Sequence, residues 1–202
     1  GYGGNPGKRP LLVRPDTPVA MAGDEPLLLA RTFPAASVVV FRRRSEAARF
    51  AENHLSPDLI ILEDGLQHLR VWRDADIVLL RPEDLHEEWN RVIPSGTWRE
   101  GRSALKAASV FVVKAGRGEW ATLQDAAGEK LSGLGKPVFP FTLEPRALRA
   151  LFPVDGETVI SPEIYRNTPY ILMSGVGSPG QVAVTAVALL RPAPPPPFAF
   201  SH

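Results

Sequence analysis

Two short apolar runs, residues 59–62 (LIIL) and 77–80 (IVLL), constrain this chain most. Each is too short for a helix and rich in branched aliphatics, the pattern of a strand buried inside a parallel sheet. The first runs directly into Glu63, Asp64 and Gly65, and the segment between the two runs also carries Gln67, His68, Arg70, Arg73 and Asp74. In open α/β sheets ligands sit beyond the carboxyl ends of strands. A strand ending in a carboxylate is also how P-loop nucleotide enzymes hold Mg²⁺ beside phosphates. Asp-Gly is a common turn pair as well, but this density of hydrogen-bonding groups between two core strands favours a site over a solvated turn.

The flanking segments extend the pattern. Asp24 is expected as the N-cap of a helix that opens with Glu25 and Pro26 and carries the apolar run 27–30. A β-branched strand follows at 37–41, then Arg42, Arg43 and Arg44, then a helix over 45–55. Three arginines between a strand and a helix suit either a phosphate-binding turn or a solvated basic one. Further strands are expected at 109–114, 138–143 and 170–174, and helices at 121–131 and 181–190, with a short helical piece at 105–108 and a helix start at 144–151. Strand, helix, strand, polar loop, strand argues for a parallel α/β sheet. A domain boundary is expected near residue 135, dividing 1–135 from 136–202.

Composition narrows the function classes. With 22% charged and 44% apolar residues the chain is a globular one. A net charge of +1 gives no case for nucleic acid as a partner. The absence of cysteine excludes disulfides and thiolate metal sites. Apolar runs stay far below the roughly 20 residues that span a bilayer, and there is no signal-peptide pattern. The chain starts without Met and stops just after a proline-rich run, so it is expected to be a fragment of a longer protein.

Two glycine-rich stretches invite nucleotide readings. At the N-terminus, Gly7-Lys8 is followed by Arg9, and Tyr2 stands where a P-loop needs glycine. Near the C-terminus, Gly175, Gly177 and Gly180 have the G-x-G-x-x-G spacing after a strand, but no acidic residue follows about 20 positions on. A tight strand-to-helix turn accounts for it better than an NAD site. His54, His68 and His86 do not have a metal-ligand spacing, which leaves a metal hydrolase as the weaker alternative.

Taken in order, the motifs resemble those of the tetraacyldisaccharide 4'-kinase family. Gly1-Tyr2-Gly3-Gly4 looks like its SRGYGG segment, and Gly23-Asp24-Glu25-Pro26-Leu27-Leu28 matches GDEPLL. Glu63-Asp64-Gly65-Leu66-Gln67-His68, with Leu69 and Arg73-Asp74, matches DDGLQHxxLxRD. Pro94-Ser95-Gly96, Arg99-Glu100 and Leu105-Lys106 resemble LLPAGPLREPLSRLKR, and Gly175 to Pro179 resembles a GIGNP turn.

The resemblance implies a P-loop kinase-like α/β fold, a mostly parallel sheet with flanking helices, plus a smaller C-terminal α/β domain. It implies transfer of the γ-phosphate of ATP, with Mg²⁺, to the 4'-hydroxyl of a tetraacylated glucosamine disaccharide 1-phosphate, forming lipid IVA. The expected location is the cytoplasmic face of the Gram-negative inner membrane, with peripheral contact through an N-terminal helix that this chain lacks. By resemblance Asp24 is the general base, with Glu25 beside it and His202 as the start of a supporting histidine motif. Asp64 and Glu63 hold Mg²⁺, Gln67 positions phosphates or acceptor, and Arg44 neutralises phosphate charge.

This sequence departs from the family pattern in several places. Glu63 replaces an aspartate, Arg81 an acidic residue, Gly101 a proline, and Ser201 a common aspartate; no P-loop occurs in these 202 residues. The chain alone is therefore expected to be a poor kinase. The alternative is a catalytically silent family member that binds lipid A precursor or a partner.

Overall fold

The computed structural model describes residues 4–116, 118–150, 159–174, 179–191 and 198–199. It divides into two compact units, Gly1–Pro140 and Phe141–His202.

The first unit holds two small sheets. β1 (Leu11–Val13) pairs antiparallel with β2 (Val38–Val40). Between them lie α1 (Val19–Ala22) and α2 (Asp24–Thr32), and β2 leads into α3 (Arg44–Leu55). Val13, Ala22, Leu27, Ala30 and Val40 form the buried core of this part. In α2 the buried residues Pro26, Leu27 and Ala30 lie along one stripe, the spacing that seats a helix on a sheet.

The second sheet has the order β3 (Ile77–Leu80), β4 (Val110–Lys114), β5 (Val138–Phe141), with β3 and β4 parallel and Ile77 opposite Val110. Parallel neighbours need a crossover. Here it contains α4 (Pro82–Leu85) and a 3₁₀ turn, Arg102–Ala107. α5 (Trp120–Leu131) then buries Leu123, Ala127 and Leu131, four residues apart each time, against the sheet. Phe111, Val113 and Leu85 are fully buried at the centre of this core. β3 keeps Leu80 inside and turns Ile77 and Leu79 outward, at 62% and 64% exposure.

In the second unit β6 (Leu148–Arg149) pairs antiparallel with β7 (Val159–Ile160). β8 (Met173–Ser174) pairs parallel with β9 (Phe198–Ala199). A 3₁₀ turn, Pro162–Tyr165, is opened by the Ser161 hydroxyl accepting from the Glu163 N–H, and α6 (Pro179–Leu190) follows β8.

The fold is thus mixed α/β, with a parallel strand pair and flanking helices. Several expectations need correction. Residues 59–62 form no strand, and Leu59 and Ile61 are 75% and 82% exposed. A strand exists only through its neighbour's hydrogen bonds, and among the described residues no strand pairs with this run. β2 consequently lies in its own antiparallel sheet with β1, which was not expected, and not beside β3. The helix start at 144–151 is replaced by β6 among the described residues. The N-cap of α2 is Gly23, not Asp24. Its φ of 88° is a left-handed value that suits glycine, and it lets α1 turn directly into α2. The Gly175 turn lies largely outside the described residues.

A candidate phosphate-binding cleft

The turn after the exposed apolar run is built tightly. Asp64 has φ 50°, in the left-handed region that Asp tolerates better than most residues. A Cβ on Gly65 would stand 2.8 Å from that of Leu62, so a side chain there forces the turn open. The next residues are held from inside by Arg73. Its guanidinium donates to the carbonyls of His68 (3.0 Å), Val71 (3.2 Å) and Leu66 (3.5 Å), and pairs with Asp76 at 2.6 Å. Both partners of the ion pair are largely buried. Asp76 in turn anchors the start of β3, since its backbone exchanges hydrogen bonds with Ser109. Gln67 and His68 therefore ride on a braced turn.

This turn faces the carboxyl end of β2 and the start of α2 across a cleft of about 640 Å³. Its walls include Glu25, Phe41, Arg42, Arg44, Glu63, Asp64, Gln67, His68 and Arg99. Three carboxylates thus meet three guanidiniums. Arg99 Nη1 lies 3.0 Å from Asp64 Oδ2, both side chains being 56% exposed. Arg44 donates to the carbonyl of Phe41 at 2.9 Å, which fixes the turn between β2 and α3.

Arg99 reaches the cleft because its loop is anchored elsewhere. The buried carboxylate of Asp84 accepts from the indole Nε1 of Trp98 (2.9 Å), from the Arg81 guanidinium (2.9 and 3.2 Å) and from the Arg81 backbone N–H (2.8 Å). Arg81 also donates to the Thr97 hydroxyl at 2.9 Å, and Trp98 packs edge-on against Trp89. Burial alone pushes the Asp84 carboxyl upward. The hydrogen bonds from the Arg81 side chain, the Arg81 backbone and Trp98 outweigh it and hold the group below the usual aspartate value. A depressed folded value gives stability that is present above the unfolded value, near 3.9, and is lost as pH falls through the folded one. Asp84→Asn is expected to cost about 2 kcal/mol near neutrality, the scale for hydrogen bonds to a charged group. It should also remove part of the loss of stability below about pH 4. Urea unfolding of both proteins at pH 7 and pH 3 checks this; a constant difference at the two pH values contradicts it.

Of the residues singled out in the sequence, the cleft gathers Glu25, Arg44, Glu63, Asp64 and Gln67. Asp24 is the first residue of α2 and exposed. Its Oδ1 accepts the Glu25 N–H at 3.0 Å, but Asp24 is not among the lining residues. His202 lies outside the described residues. Arg99 has no expected site role beyond its place in a motif, whereas Arg42 belongs to the arginine run expected as a phosphate-binding or solvated turn, and His68 to the polar segment between the two apolar runs. The signal for Arg99 was a tryptophan and a threonine beside it in a charged loop, with Asp84 positioned to fix them.

Among the described residues no three His, Asp or Glu side chains are grouped as a ligand set. A divalent cation bound mainly through phosphate and water oxygens needs fewer. Mg²⁺ commonly takes only one or two protein carboxylates, and Glu63 and Asp64 supply hard oxygen donors of that kind in one cleft.

These features define a class: a mixed α/β protein whose cleft is lined by both carboxylates and arginines, an arrangement suited to a phosphate ester with a divalent cation. The family follows from comparison. Residues 1–188 match the family model described as Tetraacyldisaccharide-1-P 4'-kinase, and the chain belongs to that family. It is 47% identical to a tetraacyldisaccharide 4'-kinase of Oleidesulfovibrio alaskensis over 94% of this chain and 52% of the relative. The corresponding protein of Nitratidesulfovibrio vulgaris is 45% identical over 96% of this chain and 53% of its own length. That of Aquifex aeolicus is 34% identical over 79% and 46%. The chain thus spans about half the length of the curated relatives it matches. No solved structure matches it.

Proposed function

We propose that the protein containing this chain transfers the γ-phosphate of ATP to the 4'-hydroxyl of a tetraacyldisaccharide 1-phosphate, the step that forms lipid IVA. The observation that carries the reading is the cleft itself. Glu25, Glu63 and Asp64 line it together with Arg42, Arg44 and Arg99, in segments that lie within the family match. Phosphoryl transfer depends mostly on positioning and on neutralising charge over the transferred group, and the arginines serve that neutralisation. Asp64 and Glu63 are the residues that would hold Mg²⁺. Held there, it would supply positive charge to offset the negative charge of the phosphates. Gln67, on the braced turn, positions phosphate or acceptor.

The acceptor hydroxyl must lose its proton as the new P–O bond forms and the bond to the leaving ADP breaks. Asp24, at the first turn of α2, takes that proton, with Glu25 beside it and His202 as a supporting residue. The phosphate cradle G-x-x-x-x-G-K-[ST] does not occur in these residues, so the reading concerns the intact protein. There the family's P-loop kinase-like core and smaller C-terminal domain, and its peripheral seat on the cytoplasmic face of the inner membrane, complete the proposal.

Metal removal tests it. Steady-state ATP consumption by the intact protein, in detergent micelles, should require the disaccharide acceptor. It should fall to background with excess EDTA and return with Mg²⁺. Acceptor-dependent turnover that survives EDTA contradicts the roles given to Asp64 and Glu63. ATP turnover indifferent to the acceptor contradicts the kinase reading.

A further inference from the structure

A second concavity, of about 370 Å³, adjoins the first. Arg42, Arg43, Arg44 and Arg70 stand around it with Gln67 and His68, and no carboxylate lines it. Two of these arginines have local partners: Arg43 pairs with Glu46 at 2.8 Å and Arg44 donates to the Phe41 carbonyl. Arg42 and Arg70 make neither an ion pair nor a side-chain hydrogen bond among the described residues. Like charges gathered around one cleft repel each other, and an anion between them relieves that repulsion. Guanidinium forks match phosphate oxygens in pairs.

The two clefts differ in sign. The first balances three carboxylates against three arginines, so it offers a bare anion no excess of positive charge. The second has no carboxylate on its walls and suits a phosphate that carries no metal. They share Arg42, Arg44, Gln67 and His68, so one ligand can reach into both. The floor on the 66–71 side is rigid, because Arg73 holds the carbonyls of Leu66, His68 and Val71.

We propose that this all-basic cleft is the subsite for the standing phosphate monoester of the acceptor, the 1-phosphate, which remains unreacted while the distant hydroxyl is phosphorylated in the adjoining cleft. This rests on the kinase reading for the identity of the ligand. Phosphate recognition by the arginine cluster can be measured without turnover. The same basic chemistry would also suit the phosphates of a nucleotide, and the test separates the two.

The experiment is equilibrium binding to the intact protein in detergent micelles. The probes are the 1-phosphorylated acceptor, the same disaccharide with its phosphate removed, and Mg·ATP separately. The proteins are wild type, Arg70→Ala, Arg42→Ala/Arg70→Ala and Arg70→Lys. Wild type is expected to prefer the phosphorylated acceptor by about 10- to 100-fold, the scale of one or two charge-assisted hydrogen bonds. The double variant loses most of that preference. Arg70→Lys keeps part of it through its charge, and this partial retention also shows that the fold is intact. Equal binding of the two acceptors by wild type overturns the proposal. So does a double variant that loses Mg·ATP affinity while its acceptor preference persists, since the arginines would then serve the nucleotide. A wild-type preference without product formation leaves this subsite standing and overturns the kinase reading instead.

Discussion

Asp24→Ala in the intact protein is expected to lower kcat by about 10²-fold or more, the scale for losing a general base. KM for ATP should change little, because proton transfer is an interaction of the transition state and not of the bound nucleotide. The family motif is the reason for choosing this carboxylate, and the structure names its rival. Asp24 opens α2, where the exposed N–H groups of the first turn favour a negative charge. Its Oδ1 is tied to the Glu25 N–H at 3.0 Å, which orients the side chain. Glu25, however, is the residue of the pair that lines the cleft. Asp24→Asn separates charge from shape. It keeps an oxygen acceptor for that backbone N–H and loses the basicity, so it should be as impaired as the alanine variant. Glu25→Gln should be milder. Near-normal turnover in both Asp24 variants, with the loss transferred to Glu25→Gln, would move the base one residue along α2.

The second large effect concerns folding. Phe111→Ala should destabilise the chain by about 3–5 kcal/mol, the range for deleting a buried aromatic side chain. Phe111 is fully buried in the central strand of the β3–β4–β5 sheet. Leu85, Val113 and Leu131 belong to the same core. The loss combines lost transfer energy with a cavity that α5 and α4 cannot close without leaving the sheet. Whole-domain stabilities are only about 5–15 kcal/mol, so a change of this size moves the denaturant midpoint far. Urea unfolding followed by tryptophan fluorescence reads it, since Trp89, Trp98 and Trp120 pack against this core. A loss below about 1 kcal/mol would mean that the core assignment is wrong, because that is the ordinary effect of a substitution outside it.

Much of this core was legible in the sequence because its signals are local. The 77–80 and 110–114 runs alternate or continue in the way strands do, and Leu123, Ala127 and Leu131 keep a helical spacing. The 59–62 run shows the limit. Its composition matches that of β3, yet it forms no strand, because pairing belongs to the neighbour and not to the run. The Asp24 cap was misplaced by one residue because the positive φ of Gly23 decided where α2 begins, and a dihedral angle leaves no mark in a polar-residue pattern.

The site divides in the same way. Glu25, Glu63, Asp64 and Gln67 stand in recognisable motifs and Arg44 in the arginine run after β2, and the structure brings all five to one cleft. Arg99 comes from 35 residues beyond its partner Asp64. Its approach depends on the Asp84–Trp98 hydrogen bond and on Arg81, a long-range arrangement of side chains that no local period encodes. The basic cleft was half visible as Arg42-Arg43-Arg44. Arg70 joins it from the 66–71 turn, whose carbonyls Arg73 holds, a tertiary placement that no local pattern encodes.

The central claim is that this cleft serves phosphoryl transfer to one particular hydroxyl. Phosphorus NMR of the product formed by the intact protein from Mg·ATP and the 1-phosphorylated tetraacyldisaccharide tests it most directly. The account predicts one new phosphomonoester signal, coupled to the proton at C4', with the 1-phosphate retained. ATP consumption without a new phosphomonoester, or a phosphate on any other hydroxyl, would contradict it.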